Sequence, residues 1–187
     1  MERSNFHQYV YRVTSALDGL SKTSIERALL VLSETFNSNK RVWIAGNGGS
    51  AATASHFATD LSQCTNSAAR PVKAMSLCDN SSLLSAIGND FGFNFVFSNQ
   101  LRKLGDAGDL LVIISASGNS KNLLEAMEWA KSNRISTLAL TGFDGGMAKI
   151  MADTSLHVPT NIGDYGVAED AHSILCHFLS SQFRGNQ

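Results

Sequence analysis

Arg41–Asp60, RVWIAGNGGSAATASHFATD, is the stretch whose reading decides the fold. It begins with Val42-Trp43-Ile44-Ala45, a short apolar run of the β-branched and aromatic kind that strands favour. Gly46-Asn47-Gly48-Gly49-Ser50 follows, and then an alanine-rich segment of high helix propensity. The order is strand, glycine turn, helix. Glycines let a backbone pass close to a ligand, and the first N–H groups of a helix have no intrahelical acceptor and can meet an anion. Ser50 is placed to cap that helix or to bond a phosphate. The spacing is neither the G-x-G-x-x-G of a dinucleotide site nor a P-loop, which needs Gly-Lys-Ser/Thr.

Outward from this stretch the same alternation continues. Val72–Leu77, Asp109–Ser115, Thr137–Thr141 and Ser155–Val158 read as further strands. DLLVIIS at 109–115 is near-continuously apolar, as a strand covered on both faces must be. Helices are expected over Ala51–Gln63, Leu83–Ile87, Phe93–Leu104, Asn122–Asn133 and about Val167–Phe183. Asn80 or Ser81 caps the second of these and Gly88-Asn89-Asp90 stops it; a polar stretch, Cys64–Arg70, precedes Pro71. Ahead of the first strand, Asn5–Leu20 and Thr23–Asn37 carry helical spacing. Ile25, Ala28, Leu29, Leu32 and Phe36 form one stripe, with Ser24 or Thr23 as cap.

The pattern specifies an α/β protein with a doubly wound five-stranded parallel sheet. It is read as a single domain over 1–187, with N-terminal helices at 1–40 and the α/β core at 41–187. In such sheets ligands bind beyond the carboxyl ends of the strands. Gly46–Ser50, Ser115–Ser120 and Gly142–Gly146 all fall there. Serine hydroxyls and N–H groups from two turns suit a phosphate ester held by neutral donors, since neither serine turn contains Lys or Arg.

Composition narrows the classes. A net charge of −1 over 187 residues implies no large nucleic-acid-binding surface. Cys64, Cys78 and Cys176 are an odd set without C-x-x-C spacing, which fits a reducing compartment better than a disulfide scaffold. The N-terminal residues lack a signal-peptide h-region and no apolar run spans a bilayer, so a soluble cytoplasmic protein is expected.

Two helices carry ionisable pairs. His56 and Asp60 share a face at i,i+4; Glu169, Ser173 and His177 share a face of the last helix, with Glu169 and His172 neighbours at i,i+3. A carboxylate and an imidazole from each helix suit a transition-metal site or an acid/base pair. Taken singly, each is an ordinary helix-face residue. Cys64 and Cys176 lie near these groups and are read as small buried apolar residues.

GNGGSAATASHFATDL at Gly46–Leu61, SLLSAIGND at Ser82–Asp90, GDLLVIISASGNSKN at Gly108–Asn122 and LALTGFDGG at Leu138–Gly146 carry a resemblance. The chain resembles the SIS (sugar isomerase) family, and most its sedoheptulose 7-phosphate isomerase branch. The resemblance implies a flavodoxin-like sheet, a homotetramer with sites at subunit boundaries, zinc, and aldose–ketose isomerisation of a seven-carbon sugar phosphate. It also implies substrate contacts at Asn47, Gly48, Gly49, Asn89, Asp90, Ser115, Ser117 and Ser120. His56 matches a metal ligand. Asp60 stands where the branch has a glutamate that is ligand and base. Glu169 stands where it has a glutamine ligand that also meets substrate. His177 matches a histidine that is ligand and proton donor.

The chain departs from that pattern in three places. Ala116 replaces a usual threonine, Val167-Ala168-Glu169 replaces Arg-Ile-Gln, and a basic residue usual shortly after the glutamate is missing, with Cys64 near its place. Asp for Glu shortens the side chain by ~1.5 Å, enough to matter for catalysis. The mechanism expected is enediol formation, with Asp60 or Glu169 as base, His177 as proton donor, and Zn²⁺ held by His56, Asp60, Glu169 and His177. The alternatives are a non-catalytic SIS protein that senses a phosphosugar or binds a replication initiator, and an isomerase of another sugar phosphate.

Overall fold

The computed structural model describes residues 5–65 and 70–184, so part of the polar stretch expected at 64–70 lies outside the described residues. Arg41–Gly46 (β1), Leu110–Ser115 (β3) and Ser136–Thr141 (β4) form the middle of a sheet. Lys73–Ser76 (β2) and Thr154–His157 (β5) are its shorter edges. All neighbours pair in parallel, in the order β2-β1-β3-β4-β5. The doubly wound sheet expected from the sequence is the one observed. Every residue of β3 is buried, as its apolar run requires. The strand order reverses between β1 and β3, and such a reversal opens a ligand crevice at the carboxyl ends. Gly46 pairs with Ile114, which sets the glycine turn level with the turn that follows Ser115.

Alternate strand residues face opposite ways, and each face has its own helices. Phe6–Asp18 (α1), Lys22–Asn37 (α2), Gly49–Ser62 (α3) and Tyr165–Ser181 (α8) cover Val42, Ile44, Leu110, Val112 and Ile114. Ser81–Phe91 (α4), Ser98–Leu104 (α5), Lys121–Ser132 (α6) and Gly146–Met151 (α7) cover Trp43, Ala45, Leu111 and Ile113.

Local chemistry corrects several expected boundaries. Ser21, not Ser24 or Thr23, caps α2: its side chain accepts from Ser24 N at 3.0 Å. α4 does not stop at Gly88 but runs to Phe91, because Asn80 caps it and the buried Ile87 pins its last turns. A single helical glycine costs only ~1 kcal/mol against alanine. Phe93–Leu104 is not one helix: a 3-10 turn at Phe93–Phe95 precedes α5. α7, only six residues long, is too short to show a helical period and had no counterpart among the expected elements.

His172 lies wholly inside α8's buried face, and among the described residues neither ring nitrogen makes a hydrogen bond of good geometry. Burial pushes its pKa down from 6.5 to about 4; the Thr141 carbonyl favours the charged ring and His157 opposes it. The unfolded chain therefore takes up a proton that the folded chain refuses. Stability from this residue is complete above pH 6.5 and is lost as the pH falls toward 4, in total on the order of 3 kcal/mol. Urea unfolding at pH 7 and pH 4.5 should show that loss, and His172→Leu should flatten it.

Candidate active site

The crevice is built from glycine and serine turns. A Cβ on Gly46 would stand 2.5 Å from the Ser50 carbonyl oxygen, so β1 can turn this tightly into α3 only without a side chain there. Gly48, at φ 54° and ψ −124°, is the N-cap of α3, and no side chain caps that helix. Ser50 therefore does not cap; it sits within the first turn, 4% exposed. This 14-residue helix has no side-chain cap bond at the mouth of the crevice, and the Glu169 carboxylate lies against Gly49 in its first turn, at the positive end of the helix dipole.

Across the crevice, Ser115 Oγ accepts from Gly118 N at 3.1 Å and Ser117 Oγ from Asn119 N at 3.2 Å. Both hydroxyls shape the turn as acceptors and each keeps its O–H proton to donate. Ser120 is the N-cap residue of α6, but its side chain makes no capping bond. Ala116 is buried with Phe143 and Ala168, an apolar niche that accounts for a small side chain in this loop. The third turn braces the second: Ala148 N donates to Gly118 O at 2.9 Å and Met147 N to Asn119 Oδ1 at 3.0 Å.

Asn47 and Asn122 exchange amide hydrogen bonds of 3.0 and 2.9 Å and tie the first turn to α6. Asn122 is 2% exposed and was not among the expected site residues, because a lone amide at the start of a helix carries no sequence signal. Asn47 spends one donor and one acceptor on it and retains one of each. Removal of one serine hydroxyl from this pocket, Ser117→Ala, should weaken sugar-phosphate binding several-fold in calorimetry, the ~0.5–1.5 kcal/mol of one hydrogen bond. Unchanged affinity would place the phosphate elsewhere.

Asn89 and Asp90 stand apart from these turns. They lie on the exposed last turn of α4, with Asn89 Nδ2 donating to Asp90 Oδ1 at 2.9 Å. They line a shallow groove with Ser81, Ser82 and Ser85 whose walls contain no residue of either turn.

α3 and α8 pack side by side and bring the ionisable residues of the two helices together. Ligand atoms of His56, Asp60 and His177 all lie within 4.8 Å of one another. Asp60 Oδ2 is 3.9 Å from Nε2 of each imidazole. The two rings meet edge to face, centroids 4.8 Å apart. Glu169 is not in this cluster: its carboxylate lies against Gly49, at the first turn of α3. Eight residues at ~1.5 Å rise put Glu169 about 12 Å along α8 from His177. The two carboxylates therefore do not meet at one point.

Sequence reading also missed Arg184, whose Nη2 donates to Asp60 Oδ1 at 2.8 Å. It follows the last helix and belongs to no periodic pattern. Burial pushes the Cys64 and Cys176 thiols up, so they sit beneath the site as protonated, apolar groups.

Two imidazoles and one carboxylate oxygen supply three donors, one short of a closed tetrahedral set, as in an open metal site. Tetrahedral coordination at ~2.0–2.1 Å needs donors about 3.3 Å apart, so side-chain rotations of about 1 Å would close the set. The same residues can also move protons. Among the described residues no helix is long and apolar enough to cross a membrane.

Comparisons with known proteins identify the family. The family described as "SIS domain" matches residues 5–142. A phosphoheptose isomerase of Campylobacter concisus is 42% identical over 166 residues, 87% of each chain. One of Helicobacter pylori is 37% identical over 177 residues, 95% of this chain and 91% of that one. The solved phosphoheptose isomerase GmhA of Neisseria gonorrhoeae superposes with a TM-score of 0.84 at 34% identity, covering 95% and 94% of the two chains.

Proposed function

The chain belongs to the SIS domain family, in the branch of the phosphoheptose isomerases, and from that premise we propose that it converts sedoheptulose 7-phosphate to D-glycero-D-manno-heptose 7-phosphate through an enediol. The observation that carries this reading is the meeting of His56, Asp60 and His177 on two helices that descend from the anion crevice. Ser115, Ser117 and Ser120 take the phosphate, and Gly48, Gly49 and Ser50 of the first turn line the same crevice. Asn47 and Glu169 meet the sugar hydroxyls along the way. The reacting carbons are directed toward the cluster, which lies further along α3 and α8.

Asp60 is the base of choice because its Oδ2 faces both imidazoles, whereas Glu169 stands beside the crevice. Asp60 takes a proton from C1 of the ketose while His177 gives one to O2, leaving the enediol. The proton returned from Asp60 to C2 and the loss of the O1 proton to His177 then leave the aldehyde. Zinc, held by His56, Asp60 and His177, would polarise the substrate oxygens. Glu169 is too far along α8 to share that ion without rearrangement, and we assign it to substrate.

Both imidazoles are half exposed, with side-chain exposures of 58% and 54%. Phe6 and Tyr11 of α1 are 74% and 71% exposed, and Phe178 stands one residue beyond His177 with 42% exposure. A second copy covering these faces would complete the site. We read the protein as a cytoplasmic homotetramer with sites between subunits, as the family resemblance implies, in which Asn89 and Asp90 would serve a neighbouring subunit's pocket. Chelator-treated protein should be inactive on sedoheptulose 7-phosphate and regain turnover with added zinc. Sugar-phosphate binding without turnover in either state would instead favour the non-catalytic reading.

A further inference from the structure

Asp60 is a carboxylate at 8% exposure, and a buried charge needs a partner. Just beyond the end of α3 stands Cys64, a buried thiol that donates to the Asp60 carbonyl oxygen at 3.4 Å. The imidazoles at 3.9 Å are cations only when protonated. The permanent cation arrives from the far end of the chain. α8 ends at Ser181, and Phe183 packs edge to face on Phe36 of α2 with centroids 4.8 Å apart. Beyond that anchor, Arg184 Nη2 reaches Asp60 Oδ1 at 2.8 Å, with 54% of the arginine side chain exposed against 12% of the aspartate.

We propose that Arg184 is a positioning residue of this site: it holds Oδ1, leaves Oδ2 alone to face His56 and His177, and by balancing the carboxylate keeps the site's affinity for a divalent cation low. The inference rests on reading His56, Asp60 and His177 as a metal donor set. With neutral imidazoles the three side chains carry −1, and Arg184 brings the group to zero. An entering cation meets both the guanidinium's repulsion and a carboxylate with one oxygen already bound. Arg184 is planar and forked, so it fixes the carboxylate's rotation as well as its charge.

The test is zinc titration calorimetry on chelator-treated full-length protein, comparing wild type, Arg184→Gln, Arg184→Lys and His177→Ala. Arg184→Gln should bind zinc about 3- to 10-fold more tightly, the factor expected when one nearby unit charge is removed in a water-like dielectric. Arg184→Lys, which keeps the charge, should stay close to wild type, and His177→Ala should lose most of its binding. A guanidinium that only pinned the chain end would give the opposite sign, a looser site and weaker binding. Equal or weaker binding by Arg184→Gln, with wild type binding and His177→Ala failing to, would overturn the role of Arg184 and leave the metal reading standing. No binding by wild type would overturn both. Circular dichroism melting shows that each variant is folded, and the lysine variant still decides the charge argument if the glutamine one is not.

Discussion

His177→Ala is expected to lower turnover of sedoheptulose 7-phosphate by ~100- to 10,000-fold, the worth of one general acid, while the chain remains folded. The imidazole is 54% exposed, so its removal opens no cavity in the core. Its contacts are the edge-to-face ring of His56 and the 3.9 Å approach to Asp60, both within the site. His172 provides the contrast on the same helix. It is fully buried, away from the cluster, and its replacement should alter the pH dependence of stability rather than the chemistry. Steady-state kinetics and urea unfolding on the two variants separate the roles. A His177→Ala protein with full turnover and normal zinc binding would remove the proposed site.

Gly118→Ala should cost about 2–5 kcal/mol of stability and abolish sugar-phosphate binding, through two effects that add. The residue sits at φ 62°, in the left-handed region where an L side chain costs ~1–2 kcal/mol. A Cβ there would also overlap the Gly145 carbonyl and lie 3.2 Å from Gly146 Cα, and backbone cannot yield as a flexible side chain does. Forcing such a contact apart typically costs a further ~1–3 kcal/mol. The serine turn and the third turn are joined here, since Gly118 N donates to Ser115 Oγ and Gly118 O accepts from Ala148 N. Denaturant unfolding and phosphate calorimetry would read both losses. A variant of normal stability and affinity would mean that the two turns are not rigidly coupled.

The sheet was legible because its information is local and periodic. The apolar run of β3 and the glycine turn after β1 state their own structure, and the alternation of elements then permits few topologies. Terminations were less legible. Gly88 looked like a stop, yet the cap at Asn80 and the burial of Ile87 carry α4 past it. The helix-face pairing of His56 with Asp60 is an i,i+4 relation that sequence can show; its union with His177 depends on how α3 meets α8. The parts that were missed are those made only by tertiary contact. Asn122 matters because Asn47 lies across the crevice, and Arg184 because Phe183 turns the chain end back toward α3. Glu169 is expected in the cluster from helical phase and from the family resemblance; phase gives the face of a helix but not the height along it, and the carboxylate rests against Gly49 instead.

Proton transfer at the His56–Asp60–His177 cluster can be followed by proton NMR of sedoheptulose 7-phosphate in D₂O. With zinc-loaded wild-type protein the aldose should appear carrying solvent deuterium at C2, because the proton passes through a side chain that exchanges with water. Asp60→Asn protein, folded and still binding the sugar phosphate, should produce neither aldose nor exchange. Aldose formed at the wild-type rate by Asp60→Asn, or no conversion by the wild-type protein, would rule out proton transfer at this cluster.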